Sequence, residues 1–163
     1  MSEPYRVCVV CSGNICRSPM GEIVLRHKLE EAGLGDRVVV DSAGTGDWHV
    51  GNGADPRTVA ALAAGGYDGS AHRAQQFGDT WVTERDLVLV ADEGHLRQIR
   101  ALAAGDDTTH VRLLRSFDPA ATDAGTLEVD DPYYGDEAGF DRCLREVEDA
   151  CDGVVEYLRT ELT

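Results

Sequence analysis

The chain has 163 residues and a mass near 17.6 kDa, a length typical of one domain with one hydrophobic core. Thirty acidic against fifteen basic residues give a formal charge of −15 and a pI near 4.5. This excess of acid argues against nucleic acid or an anionic membrane as a partner, since both need a basic surface. We therefore expect a single domain over residues 1–163 whose function rests on a local site.

The cysteines point to a reducing compartment. There are five of them, an odd number that matches no disulfide framework and no zinc motif built from two Cys-x2-Cys pairs. Residues 1–6 lack the charged and apolar regions of a signal peptide, and no run approaches the roughly 18 apolar residues of a membrane span. We expect a soluble protein of the cytoplasm with free thiols; its oligomeric state stays open.

The first 33 residues predict a strand, a tight loop and a helix. Residues 5–10 form an apolar, β-branched run typical of a buried strand, which breaks at Ser12 and Gly13. Ser18-Pro19 is typical of a helix N-cap followed by proline in the first helical position, and the helical pattern stops at Gly33.

Two more strand and helix pairs follow. Residues 38–40 predict the second strand, and a Gly-rich loop over 43–54 separates it from a helix that begins at Asp55-Pro56 and ends at residues 65–66. Residues 87–91 predict the third strand, continuously apolar as expected when helices cover both faces of a parallel sheet. The helix after it carries Leu96, Ile99 and Leu102. Residues 72–86 carry no clear pattern.

The last third predicts a strand, an unusually long connection and a terminal helix. Residues 111–114 form the fourth strand, and about twenty residues without a predicted element follow it. Apolar residues then recur at steps of three and four from Phe140 to Leu162. Strands that alternate with helices predict an α/β fold, a doubly wound four-stranded parallel sheet flanked by helices.

The segment Cys11–Ser18 lies between the first strand and the first helix, where ligands bind in open α/β sheets. A loop of this length can direct successive backbone N–H groups inward, and the helix dipole adds positive potential behind them. Cys11 would lie at the floor of this phosphate-binding loop as a nucleophile, favoured as a thiolate by those dipoles and by Arg17. Arg17 can also bind two oxygens of a tetrahedral anion at once.

Four motifs carry a resemblance to a known family. CSGNICRSP begins at residue 11, Ser42-Ala43-Gly44-Thr45 follows the second strand, Ala71-His72-Arg73-Ala74 lies mid-chain, and Asp131-Pro132-Tyr133-Tyr134 lies in the long connection. With these motifs the chain resembles the low-molecular-weight protein tyrosine phosphatases of bacterial type, and the resemblance spans essentially the whole chain. Ala71 departs from many relatives, which have an acidic residue there.

The resemblance implies a phosphotyrosine hydrolase that works through a phosphocysteine intermediate on Cys11, without a metal or cofactor. Arg17 would stabilise the phosphoryl group, and Asp131 would be the general acid and then the general base. Asp130 is the competing acid, but Asp131 precedes the family's Pro-Tyr-Tyr. The implied partners are phosphotyrosine-containing proteins or peptides, with inorganic phosphate as a product.

Supporting roles follow from the same resemblance. The phosphate-binding loop would comprise Ser12, Gly13, Asn14, Ile15, Cys16 and Ser18, with Ser18 donating a hydrogen bond to the Cys11 sulfur. Asn14 would adopt a left-handed conformation held by Ser42 and His72. Trp48, Tyr133 and Tyr134 would form the walls of the substrate pocket. Cys16 would form a reversible disulfide with Cys11, and phosphorylation of the two tyrosines is a regulatory option.

Other interpretations compete with these. Asp92 is best explained as a helix N-cap, and His27, His49, His95 and His110 as structural residues. Arsenate reductases of this fold need further cysteines in the middle of the chain, and none lies between Cys16 and Cys143. Arginine phosphatases of the family have Thr where this chain has Ile15. A catalytically inactive phosphotyrosine-binding module would have lost Cys11 or Asp131.

Overall fold

The computed structural model describes residues 3–162 and contains one four-stranded sheet in that range, with all strands parallel in the order β2-β1-β3-β4. The strands are β1 (Tyr5–Cys11), β2 (Val38–Gly44), β3 (Leu87–Val90) and β4 (Val111–Leu113). The helices are α1 (Arg17–Glu31), α2 (Pro56–Ala64), α3 (Trp81–Glu84), α4 (Glu93–Leu102), α5 (Pro119–Ala124) and α6 (Glu137–Glu161). The predicted α/β fold with a four-stranded parallel sheet is confirmed.

Strand β1 separates two apolar cores. Val7, Val9 and Cys11 face the larger core, which α1 and α6 complete, whereas Cys8 and Val10 face the smaller core beneath α4. Successive side chains of a strand point to opposite faces, so a strand with both faces covered has apolar residues at every position. This central place in the sheet holds the end of β1, and Cys11 with it, between two neighbouring strands.

Aspartates cap most of the longer helices, as two of the sequence patterns predict. Asp55 accepts from the Arg57 amide at the start of α2, and Asp92 accepts from the His95 amide at the start of α4. The predicted helix α1 is present, but its predicted N-cap was wrong: the helix begins at Arg17, so Ser18 lies inside its first turn and does not cap it. The Ser18 side chain is thereby free to face the end of β1.

The connection before the terminal helix is shorter than predicted. A 3₁₀ helix over Leu114–Phe117 and α5 occupy its first half. Asp118 caps α5, Pro119 stands in its first turn, and Gly125 ends it with a φ of 73°. These are ordinary cap and stop signals that a search for apolar periodicity overlooks in a helix of six residues. The remaining segment, residues 125–136, is called the long loop below.

The long loop returns to the carboxyl edge of the sheet. The Val129 amide donates to the Ala91 carbonyl just beyond β3 at 2.8 Å, and Val129 is buried. This contact places the long loop beside residues 11–18, called the first loop below. The carboxyl ends of parallel strands meet at one edge, so two segments distant in sequence form one site. Among residues 3–162, no helix is both long and apolar enough to cross a membrane.

Candidate active site

The floor of the site is the Cys11 sulfur at the end of β1. Cys11 is 3% exposed, and its Sγ lies 3.0 Å from the Ser18 hydroxyl and 3.4 Å from the Ser18 amide. The hydroxyl also accepts a hydrogen bond from Asn14 Nδ2 at 2.7 Å, which leaves its own hydrogen for the Cys11 sulfur or for the Ala43 carbonyl at 3.4 Å. A negative charge on this sulfur would therefore face donors from the first turn of α1.

Asn14 holds the first loop in shape. It is fully buried with a φ of 59°, in the left-handed region that Asn tolerates better than most residues. Its Nδ2 donates to Ser42 as well as to Ser18, its Oδ1 accepts from the Gln75 amide, and its carbonyl accepts from His72 Nε2 at 2.7 Å. All polar groups of the side chain are thus paired, which offsets the cost of burying them.

The carbonyl groups of the first loop are engaged by the segment that follows β2. Thr45 donates to the Cys11 carbonyl, Gly46 to the Ser12 carbonyl and Asp55 to the Ile15 carbonyl, at 2.9 to 3.0 Å. A Cβ atom on Gly44 would lie 2.6 Å from the Ser12 carbonyl oxygen, so only glycine permits this close approach. Backbone bonds from outside the cavity therefore fix the course of the loop.

The Arg17 guanidinium joins three separate segments. It is 4% exposed, and its NH1 donates to Asp92 Oδ2 at 3.0 Å and to the Val129 carbonyl at 2.8 Å. NH2 lies 3.7 Å from Asp131 Oδ2. Burial opposes the charge, but Cys11, Asp131 and Asp92 outweigh it and raise the pKa of Arg17 above its ordinary value. The residue keeps a full positive charge at the mouth of the first loop.

His95 connects the first loop to α4. Its Nε2 lies 2.8 Å from the Ser12 hydroxyl, and its Nδ1 lies 3.2 Å from Asp92 Oδ1, with an angle too poor for a hydrogen bond. Burial outweighs the attraction of Asp92 and lowers the pKa of His95 to about 4, so the ring is neutral near pH 7. Burial works against the charge of Asp92 too, but the His95 amide, His95 and Arg17 hold the pKa of Asp92 below its usual range.

A cavity of about 330 Å³ opens above the sulfur, and aromatic side chains form its walls. Trp48, Tyr133 and Tyr134 all line it, as do Ser12, Gly13, Ile15, Cys16 and Arg17 of the first loop. Trp48 and Tyr134 are 70% and 94% exposed, so the walls reach into solvent. Its aromatic walls could contact an aromatic ring, and the Cys11 and Arg17 side chains give it a polar floor for an anion.

Asp131 lies at the rim of this cavity and Asp130 does not. The Asp131 side chain is 46% exposed, and its Oδ1 accepts a hydrogen bond from the Tyr133 amide at 3.1 Å. Asp130 instead lines a separate acidic hollow with Glu93, Glu128 and Glu146. Of the two neighbouring carboxylates, only that of Asp131 faces the space above Cys11.

The remaining cysteines are buried thiols. All five are free in the structure, and burial raises the pKa of Cys16 to about 12 and raises the pKa values of Cys8, Cys143 and Cys151 as well. Cys16 still lines the cavity beside Cys11. Within the described part of the chain, no three His, Cys, Asp or Glu side chains are grouped to hold a metal ion.

The structure adds contacts that the sequence patterns did not reveal. His49 lines the cavity and packs against Gly13, where a Cβ would lie 2.8 Å from its ring, and His95 contacts Ser12. Asp92 caps α4 as predicted but also binds Arg17. No motif marks such pairs, since their members lie far apart in sequence. A polar residue just beyond a parallel strand, such as Asp92 after β3, is the one available signal.

Comparison with known proteins agrees with this geometry. The family model described as low molecular weight phosphotyrosine protein phosphatase matches residues 6–163. A low molecular weight protein-tyrosine-phosphatase of Streptomyces coelicolor is 55% identical, over 97% of this chain and 96% of the relative. Low molecular weight protein-tyrosine phosphatase A of Mycobacterium tuberculosis is 45% identical, over 99% and 96%.

Solved structures agree as well. A protein tyrosine phosphatase from Entamoeba histolytica, crystallised with Hepes in its active site, superposes with a TM-score of 0.91 at 28% identity and covers 98% of this chain and 99% of its own. The match in sequence and the match in structure each extend over nearly the full length. The chain belongs to the low molecular weight phosphotyrosine protein phosphatase family of hydrolases, and it is a protein tyrosine phosphatase by that membership.

Proposed function

We propose that this chain hydrolyses phosphotyrosine in two displacements at phosphorus, with Cys11 as the nucleophile. One observation carries the proposal: the Cys11 sulfur, the Arg17 guanidinium and the Asp131 carboxyl border one cavity, although the first loop and the long loop lie far apart in sequence. A nucleophile, a cation for the phosphoryl oxygens and an acid for the leaving group are the parts that such a transfer needs.

In the first step the Cys11 thiolate attacks phosphorus and the bond between phosphorus and the phenolic oxygen breaks. Asp131, protonated, gives its proton to that oxygen, so that phenol leaves in place of phenolate. Arg17 and the amides of the first loop stabilise the phosphoryl oxygens. Support comes from the 3.7 Å between Arg17 NH2 and Asp131 Oδ2, a separation at which the carboxyl would reach the leaving oxygen of a phosphoryl group bound to Arg17.

In the second step water attacks the phosphorus of phosphocysteine and the sulfur–phosphorus bond breaks. Asp131, now ionised, takes a proton from the water, and inorganic phosphate is released. Ser18 donates a hydrogen bond to the departing sulfur, and its 3.0 Å approach to Cys11 Sγ supports this role. Arg17, the loop amides and Asp131 carry the charge and the protons, so the proposal includes no metal and no cofactor.

The substrate we propose is a phosphotyrosyl protein or peptide. The aromatic walls at Trp48, Tyr133 and Tyr134 suit a flat ring, and Ile15 is the loop residue of the tyrosine-specific members that the chain resembles. We also assign Ser42 and His72 as positioning residues, because both form hydrogen bonds with Asn14.

We also propose a single domain over residues 1–163 and a location in the cytoplasm. The family match over residues 6–163 and the one sheet support the first, although Met1, Ser2 and Thr163 lie outside the described residues. The free thiols support the second, because disulfides are favoured in oxidising compartments.

The first test is hydrolysis of phenyl phosphate at mildly acidic pH with a chelator present. We expect turnover by the native protein, complete loss in Cys11→Ser and a fall of about a hundredfold in Asp131→Ala. Asp130→Ala is the matched control, because its carboxylate lies in the neighbouring hollow, and we expect it to retain native activity. Absence of turnover by folded native protein with reduced Cys11 would reject the proposed function.

A further inference from the structure

Arg57 forms an ion pair at the start of α2 that is well defined in geometry. Its NH2 donates to Asp55 Oδ2 at 2.9 Å and its Nε to Asp55 Oδ1 at 3.1 Å, while the Arg57 amide donates to the same Oδ1 at 2.8 Å. Asp55 is 9% exposed and caps the helix. This two-point contact fixes the plane of the guanidinium group, which a single contact leaves free to turn.

Asp55, the buried residue of this pair, is bonded to the first loop. The Asp55 amide donates to the Ile15 carbonyl at 2.9 Å, so the residue that holds Arg57 is itself bonded to the loop around Cys11. The hydrogen bonds from Arg57 outweigh burial and hold the pKa of Asp55 below its ordinary value. Asp55 therefore stays ionised at the mildly acidic pH of the assay, and the pair stays intact.

Arg57, the more exposed residue of the pair, contacts the long loop. The Arg57 guanidinium carbon lies 5.5 Å from the Tyr133 ring centroid and 4.5 Å from that of Phe140. Its NH1 is 3.5 Å from the Gly135 carbonyl. Cations stack favourably on aromatic rings at such distances, so Arg57 holds this part of the long loop against α2 and α6.

The same stretch of the long loop carries the acid. The Tyr133 amide donates to Asp131 Oδ1 at 3.1 Å, and Tyr133 lines the cavity above Cys11. A displacement of Tyr133 would therefore move its amide and change the orientation of the Asp131 carboxyl. Apart from the buried Val129 and Pro132, the described side chains of the long loop are exposed or half-buried. Few buried contacts therefore hold the segment around Asp131 and Tyr133 in place.

We propose that Arg57, held by Asp55, is a positioning residue that fixes the long loop relative to the first loop and so keeps Asp131 within reach of the leaving oxygen. This inference rests on the proposed function. Arg57 does not line the cavity and acts through Tyr133. The Arg57 side chain is 37% exposed but the Asp55 side chain is only 8% exposed, so loss of the pair should also lower folding stability, and the role of Arg57 is tested by a catalytic difference that a loss of stability does not produce.

The test compares two leaving groups in Arg57→Met. Phenolate leaves slowly unless it is protonated, whereas 4-nitrophenolate leaves readily without a proton. We expect kcat/KM for phenyl phosphate to fall about tenfold and that for 4-nitrophenyl phosphate less than about threefold, because only the first needs a well-placed acid. Arg100→Met, at an exposed arginine of α4, is the control and should leave both values unchanged.

A double-mutant cycle with Asp131→Asn distinguishes a loss of activity that acts through Asp131 from a non-specific loss caused by Arg57→Met. If Arg57 acts through Asp131, Arg57→Met should cause no further loss with phenyl phosphate once Asp131 has lost its acidic proton. Equal falls for the two substrates, or a loss that persists in the Asp131→Asn background, would overturn the inference. Arg57→Lys keeps the positive charge but cannot make the two-point contact with Asp55, and it should show the same dependence on leaving group. It replaces Arg57→Met if that variant fails to fold.

These outcomes also distinguish the inference from the proposed function. Native protein that hydrolyses both substrates, together with an Arg57→Met variant that matches it, would overturn the role of Arg57 and leave the phosphatase mechanism intact. Native protein that hydrolyses neither substrate would reject both.

Discussion

In the first loop every residue from Asn14 to Ser18 is buried, whereas in the long loop only Val129 and Pro132 are. The first loop is held by backbone bonds from the segment after β2 and by the side-chain contacts of Asn14. The long loop is held by Val129, by the contact of Tyr133 with Arg57, and by hydrogen bonds from Glu93 and Arg115 to Glu128. The proposed nucleophile, Cys11, is therefore built into the folded core, and the proposed acid, Asp131, lies on a surface segment whose position rests on a few contacts.

This difference has a chemical reason. The first loop must hold its donors in place before charge develops on the phosphoryl group, because preorganised dipoles need no rearrangement during the reaction. The long loop must admit a phosphorylated side chain and release the dephosphorylated product past Tyr134. Burial suits the first requirement and exposure suits the second. Substitutions in the two loops should consequently have unequal effects.

The largest expected effect comes from Asn14→Ala. The change removes three side-chain hydrogen bonds and places Ala at a φ of 59°. We expect a loss of about 2–4 kcal/mol in unfolding free energy and of about a hundredfold in kcat/KM. Urea unfolding and steady-state kinetics measure the two quantities.

Two further variants sharpen the comparison. Asn14→Gly also lacks the three hydrogen bonds, but glycine adopts a φ of 59° without the strain that alanine has there. It should therefore be about 1 kcal/mol more stable than Asn14→Ala and no more active. Tyr134→Ala, at a residue 94% exposed in the long loop, should change stability by less than about 0.5 kcal/mol. A Tyr134→Ala variant as unstable as Asn14→Ala would contradict the contrast between the loops.

An intermediate effect concerns pH and His95. Burial lowers the pKa of His95 from 6.5 to about 4, so the unfolded chain binds a proton there more readily than the folded one. The stability that neutral His95 provides is complete above pH 6.5 and is lost as the pH falls from there through about 4, by about 3 kcal/mol in all.

His95→Asn tests this source of acid sensitivity. The variant cannot be protonated in that range, so the difference in unfolding free energy between native protein and variant should narrow between pH 7 and pH 4.5. Urea unfolding at several pH values measures it, and the other titrating groups cancel in the difference. A difference that stays constant with pH would show that His95 is not buried in its neutral form.

The smallest expected effect is a preference for basic substrates. The long loop contains four acidic residues and no basic one, and the whole chain carries a charge of −15. We expect phosphotyrosyl peptides with flanking Lys or Arg to show kcat/KM about threefold above that of acidic peptides at low salt, with the gap closing near 0.5 M salt. Equal values at low salt would show that the long loop exerts no electrostatic selection.

The sequence predicted the elements that have strong local signals. Buried strands such as β3 and the long α6 follow from apolar runs and periodicity, and Asp55 and Asp92 follow from cap preferences. Ser18 was misplaced as a cap because its local pattern matches one, whereas in the fold its hydroxyl faces the Cys11 sulfur. The short α5 was overlooked because six residues give too little periodicity.

By itself the sequence determined that the chain is an α/β protein with an anion-binding loop after its first strand, because strand, loop and helix signals are local and lie next to one another. The four motifs, in the first loop, after the second strand, in the middle of the chain and at Asp131, carried the resemblance to the family. Only the tertiary structure decided which groups meet: Arg17 with Val129, His95 with Ser12, and Arg57 with Tyr133. The two residues of each pair are at least 75 positions apart in the sequence. They meet because the parallel sheet brings the carboxyl ends of its strands to one edge, and no local sequence pattern shows which residues will meet there.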